Sequence, residues 1–151
     1  MDRDPECVFC NIVHGDGEAH IIYKDERVTA FLDIHPVNPG HTLVIPNVHA
    51  ASIQDIPDDI CGWMFVIGRD IDAGLRQSGL RSEAVNLYLA DGRAAGQVVF
   101  HAHLHVIPRF PGDPSGLKLP AGPPGSPSPA ELAEHARMLG SAFRAVRKSE
   151  S

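Results

Sequence analysis

The stretch VVFHAHLHVIPR, residues 98–109, alternates histidine with apolar residues so regularly that it narrows what the chain can fold into more than any other segment. Residues two apart share one face of a β-strand. His101, His103 and His105 therefore line one face at about 7 Å per step, and Ala102, Leu104 and Val106 line the other. Each buried imidazole has two ring nitrogens to satisfy, so three in a row are a costly way to fill a core. The opposite face already supplies core material. The histidines therefore read as chemistry: metal ligands, or nucleophile and acid–base groups.

The rest of the chain supplies partners for that strand. HIIYKD and RVTAFLDI predict a hairpin over residues 19–34, HTLVIP a strand over 41–46, and EAVNLYLAD and FHAHLHVIPR two more over 83–91 and 100–109. Ile60, Met64, Ile67, Ile71 and Leu75 recur at helical spacing. They predict one long helix over 56–78, with Pro57 in its first turn and Gly79 at its exit. Residues 111–129 hold seven of the 13 prolines and read as a surface loop. Ser128, Pro129 and Glu131 then form a capping box that opens a C-terminal helix. Leu132, Ala136, Leu139, Phe143 and Val146 are its apolar stripe. The expected class is α+β: about five strands in a mainly antiparallel sheet, one long central helix and a C-terminal helix. The expected organisation is a domain over 1–110, a Pro/Gly-rich loop over 111–128 and a helix over 129–147 packed on the same domain.

With 151 residues, 43% of them apolar, the chain can bury a core without disulfides. The net charge of −6 argues against broad nucleic-acid binding, which needs basic patches. No apolar run approaches the roughly 20 residues of a bilayer span, and MDRDPECVFC lacks the basic-then-apolar order of a signal peptide. A cytoplasmic, membrane-free location is expected. Three cysteines, with Cys7 and Cys10 at Cys-x2-Cys spacing, read as thiols or half a metal site rather than a disulfide framework. Cys61 reads as an apolar side chain on the long helix. His14, His20, His41 and His135 read as isolated turn or surface residues, and His35 as a residue of the pocket rim. Ahead of the histidines, DGRAAGQ (91–97) places Gly92 and Gly96 where backbone N–H groups could approach an anion.

GQVVFHAHLHVIPR resembles the signature of the histidine-triad family, and FLDIHPVNPGHTLVIPNVH (31–49) resembles that family's second block. The likeness runs from about Cys7 to Arg109. It implies a nucleotide hydrolase or transferase, built as a homodimer whose sheets join into one, and it favours a purine nucleotide. By this resemblance His103 is the nucleophile that attacks the α-phosphorus and forms a covalent nucleotidyl-histidine. His105 binds the phosphate oxygens, assisted by Gln97 and the backbone from Gly96 to Val98. Asp33 takes the ribose hydroxyls, while Val8, Phe9, Ile12, Phe31 and Ile34 surround the base. Implied substrates are nucleoside phosphoramidates, dinucleoside polyphosphates and adenylylated compounds. The chain departs from the phosphoramidase branch at Ala90 and Val98, where that branch has side chains that touch the ligand. These departures bear on substrate choice and rate more than on reaction class, and they keep open the alternative of a nucleotide-binding regulatory or scaffold homodimer with little turnover. Finally, the resemblance completes the half-site: Cys7, Cys10, His49 and His101 are the implied ligands of a structural, tetrahedral zinc ion.

Overall fold

The computed structural model describes residues 3–114 and 126–149. Their elements, in chain order, are α1 (Val8–Val13), β1 (Ile21–Lys24), β2 (Val28–Leu32), β3 (Thr42–Pro46), α2 (Asp58–Gln77), β4 (Ala84–Tyr88), β5 (Leu104–Arg109) and α3 (Pro129–Ser149). The strands form one sheet in the order β1-β2-β3-β5-β4, with every neighbouring pair antiparallel. β3 and β4 each run antiparallel to β5 and therefore parallel to one another. Their connection is the helical crossover α2, the kind of link a parallel pair requires. The expected α+β architecture is the one observed.

The two faces of the sheet carry different cores. On one face Val44, Ala102, Leu104 and Val106 meet Met64, Ile67 and Ile71 of α2, and Leu132, Leu139 and Phe143 of α3 close the outer layer. On the other face Phe31, Leu43 and Ile45 pack against Phe9, Ile12 and Val13 of α1. Burial on both faces explains why β2 and β3 read as continuous apolar runs. α2 and α3 cross closely at Gly74, where an added Cβ would stand 3.2 Å from the Phe143 backbone. The same seam buries Asp70, which pairs with Arg69 and Arg147. The guanidinium of Arg147 also lies over Trp63, 5.1 Å from the ring centre.

Several expected boundaries shift. α2 begins at Asp58, with Pro57 at the N-cap in extended backbone rather than inside the first turn. The capping box forms as expected: the Ser128 N–H donates to Glu131 Oε1 at 3.0 Å, and the Glu131 N–H to Ser128 Oγ at 3.1 Å. α3 continues to Ser149, two residues past the expected end. Most of the proline-rich loop, 115–125, lies outside the described residues. α1 was not expected, because six residues are too few to show a helical period. The most consequential shift concerns β5, which begins at Leu104 rather than Phe100. His101 and His103 therefore precede the strand. They sit in a bent segment held by the Ala102 N–H on the Ala50 carbonyl at 2.7 Å. Alternation survives the bend: Ala102 and Leu104 reach the α2 core while the three histidines face α1.

Candidate active site and metal centre

The face bearing α1 gathers the chain's histidines. Rings follow one another across the sheet: Phe31 to Phe9 at 5.4 Å between centres, Phe9 to His103 at 5.2 Å, His103 to His105 at 5.0 Å, and His105 to Tyr88 at 5.4 Å. The row runs from β2 to the edge strand β4, where Tyr88 is the register partner of His105.

Hydrogen bonds fix which ring nitrogen carries each proton. The Val37 N–H donates to His41 Nδ1 at 3.0 Å, so that nitrogen holds a lone pair and the proton of neutral His41 sits on Nε2. From there it is donated to His105 Nδ1 at 2.8 Å. His105 must then carry its own proton on Nε2, a donor toward the open site. His103 Nδ1 lies 2.8 Å from the His101 carbonyl, which can only accept. Its proton therefore sits on Nδ1, and Nε2 keeps a free lone pair. Burial lowers the affinity of all three rings for a second proton. It brings His41 to about 3 and His105 to about 4, and moves His103 downward as well. At neutral pH the site thus holds one imidazole with a free lone pair, His103, beside one with a free N–H, His105.

His41 was not anticipated as part of this arrangement. It is fully buried rather than a turn or surface residue. Leu43 pairs with His105 in the β3–β5 register, and two-residue alternation places His41 on the same face. That alternation, read back from HTLVIP, is the signal in the sequence that would have found it. Asp33 completes the group: its Oδ2 lies 3.6 Å from His41 Nε2 and its Oδ1 accepts the His35 N–H at 2.8 Å. Burial raises the pKa of Asp33 above the ordinary carboxylate value. His35 is exposed, and its Nδ1 lies 2.7 Å from Ser126 Oγ at the start of the segment leading into α3.

Among the expected base-pocket residues, Phe9, Ile12 and Phe31 are buried together, whereas Val8 and Ile34 are 54% and 55% exposed. The glycine loop departs from expectation. Gln97 Oε1 accepts the Gly92 N–H at 2.7 Å, and its Nε2 donates to the Ala51 and Val99 carbonyls at 2.8 and 3.0 Å. Both amide protons are engaged, so Gln97 shapes the loop and has no donor left for a ligand. The Gly96 N–H is likewise bonded to the Arg93 carbonyl. Gly96 has φ of 98°, a conformation natural to glycine, and the turn it makes leads into Val98. Val98 is 84% exposed, and among the described residues no group accepts its N–H. Val98 thus leaves a backbone donor at the end of this loop, where its side chain contributes none.

The second cluster joins α1 to the histidine segment. Cys7, Cys10, His49 and His101 each offer a ligand atom, all within 4.8 Å of one another. Cys7 Sγ lies 3.5 Å from His101 Nδ1, while Cys10 Sγ lies 3.3 Å from His49 Nδ1 and 3.6 Å from His101 Nδ1. Tetrahedral zinc with ordinary Zn–S and Zn–N bonds separates such atoms by about 3.6 Å. Tautomers agree with this fit. His101 Nε2 lies 2.8 Å from the Pro46 carbonyl and so carries the proton, leaving Nδ1 unprotonated toward the sulfurs. The donor set and its spacing fit zinc.

A five-stranded antiparallel sheet with this histidine row and an adjoining Cys2His2 cluster defines a histidine-triad protein. The HIT domain family model matches residues 14–112, and the chain belongs to that family. An uncharacterised HIT-like protein of Saccharolobus solfataricus is 38% identical over 112 residues, which cover 74% of this chain and 80% of that one. An adenylylsulfatase of Arabidopsis thaliana is 35% identical over 108 residues, covering 69% of this chain and 52% of the plant protein. The crystal structure of a zinc-bound histidine-triad family protein from Mycobacterium smegmatis superposes with a TM-score of 0.82 at 39% identity, covering 95% of this chain and 97% of that one.

Proposed function

We propose that the chain is a nucleotide hydrolase or transferase that cleaves at the α-phosphate of a purine nucleotide conjugate through a nucleotidyl-His103 intermediate. The observation that carries this reading is the pair of opposed tautomers: a lone pair on His103 Nε2 and, one ring away, an N–H on His105 Nε2. Attack by His103 Nε2 forms a nitrogen–phosphorus bond as the bond to the leaving group breaks, and the leaving group departs with the electron pair. Charge that builds on the phosphoryl oxygens meets His105 Nε2–H and the Val98 N–H. Water then attacks phosphorus and releases a proton to solvent as the nitrogen–phosphorus bond breaks, and the electron pair of that bond returns to Nε2. In this reading Asp33 accepts the ribose hydroxyls, with Phe9, Ile12, Phe31, Val8 and Ile34 around the base.

Cys7, Cys10, His49 and His101 would hold zinc, which when bound neutralises the two thiolates and ties α1 to the segment two residues before the nucleophile. The reading further includes a homodimer that joins the two sheets. The supporting relatives are the plant adenylylsulfatase and the zinc-bound mycobacterial protein.

The test is turnover of adenosine 5′-phosphoramidate, adenosine 5′-phosphosulfate and diadenosine tetraphosphate by wild type and His103→Ala, with intact-mass analysis of quenched reactions. Wild type should turn over at least one substrate and gain the mass of one adenylyl group, and His103→Ala should do neither. AMP binding by both proteins without turnover by either would replace this reading with a regulatory, nucleotide-binding dimer.

A further inference from the structure

The row of rings gives the site a direction. The nucleoside end is marked by Asp33 and Phe31 on the β2 side, with Phe9 beside the nucleophile. Whatever lies beyond the α-phosphate must extend the other way, toward the edge strand. Tyr88 stands there. Its ring is tilted 46° against His105, 5.4 Å between centres. Its hydroxyl lies under the glycine loop: Oη is 3.4 Å from the Ala95 carbonyl and 3.7 Å from where a Cβ on Gly96 would stand. A bond of 3.4 Å is long for O–H···O, so this contact holds the proton weakly, and rotation about the C–O bond can redirect it. Ala90 and Val98 offer no side-chain donor, and Gln97 has none free. The Tyr88 hydroxyl is a side-chain donor beside both His105 and the loop.

We propose that Tyr88 is the leaving-group residue of this site, donating its hydroxyl hydrogen bond to the oxygen released from the α-phosphorus, and that the site is therefore suited to nucleotide anhydrides with an oxyanion leaving group. This inference rests on the nucleotidyl-histidine reading above. In the first step the phosphorus–oxygen bond breaks and its electron pair stays on the departing sulfate or phosphate oxygen. The Tyr88 proton stays on tyrosine and stabilises that charge as a donor. A phosphoramidate releases an amine, which must gain a proton and offers no such anion. The second step, attack of water on the adduct, is common to all substrates and involves no leaving oxyanion.

The experiment compares Tyr88→Phe with wild type on adenosine 5′-phosphosulfate, diadenosine tetraphosphate and adenosine 5′-phosphoramidate, with single-turnover measurement of adduct decay. Loss of one hydrogen bond predicts a fall of about tenfold in kcat/KM for the two anhydrides relative to the phosphoramidate. The decay rate of the adduct should change less than twofold. An equal fall on all three substrates, or a slowed decay, would mean that Tyr88 only supports His105 and would overturn the proposal. An unchanged anhydride-to-phosphoramidate ratio in an active variant would overturn it as well. Absence of turnover by wild type on every substrate would defeat the underlying reading itself, an outcome distinct from either of these. Zinc content and thermal midpoint, measured alongside, verify that the variant is folded.

Discussion

At the scale of single residues, His41 shows how a side chain outside the triad can set its chemistry. It takes an N–H from Val37 on one nitrogen and passes one to His105 on the other, so replacing it frees His105 to adopt the tautomer that cannot donate. His41→Phe should lower kcat by about 10²-fold, the scale of losing a preorganised donor, with zinc content unchanged. His41 also predicts a pH dependence. Burial holds it at about 3 and His105 at about 4, against an ordinary value of 6.5. Because the folded values are depressed, these rings contribute stability that is complete above pH 6.5 and is lost as the pH falls toward 4, where only the unfolded chain gains the protons. Asp33, raised by burial, opposes this part of the way. Metal-free protein should therefore show a lower thermal midpoint at pH 5 than at pH 7.5, and His41→Asn should flatten the difference. In the sequence only the alternation of HTLVIP marks His41 as sharing a face with Leu43; its partner lies on a strand 64 residues away and leaves no local record.

At the scale of elements, local signals were legible and long-range ones were not. The spacing of Ile60, Met64, Ile67, Ile71 and Leu75 marks α2 to within two residues, and the Ser128–Glu131 box marks the start of α3, because both are recorded in neighbouring residues. α1 leaves no such record. Its N-cap is a cysteine, whose Sγ accepts the Cys10 N–H, and its buried side chains are matched to strands elsewhere in the chain. The start of β5 was misplaced for the same kind of reason. The sequence alternates through residues 100–103, but there the backbone bonds to Ala50 instead of continuing the ladder. The contact between α2 and α3 makes a prediction of its own. A side chain at Gly74 meets the Phe143 backbone, which cannot move aside as a flexible side chain could. Gly74→Val should cost about 1–3 kcal/mol in urea unfolding. Since that seam lies on the sheet face away from the histidines, kcat should stay at the wild-type value.

At the scale of the whole molecule, the Cys2His2 cluster ties sequence positions 94 residues apart. Burial raises the Cys10 thiol, so metal binding there would release its proton. Removal of zinc by a chelator should lower the thermal midpoint by an amount on the order of 10 °C, the effect of a few kcal/mol in a chain of this size. Added zinc should restore it in wild type but not in Cys10→Ser, with metal content followed by elemental analysis. The four members of the cluster were legible through family likeness more than through spacing, since only Cys7 and Cys10 are close in sequence. No helix among the described residues is long and apolar enough to cross a membrane.

The strand order carries one more consequence, for synthesis. Among the described strands β5 is the last in the chain, yet it lies between β3 and β4 rather than at an edge. While a ribosome is still translating residues 104–109, β4 has no strand to pair with and β3 has one side open. Cys7 and Cys10 have by then emerged without His101. The nascent chain therefore carries free thiols and an unfilled slot in its sheet until that segment appears, and its insertion closes the sheet, the histidine row and the Cys2His2 cluster together.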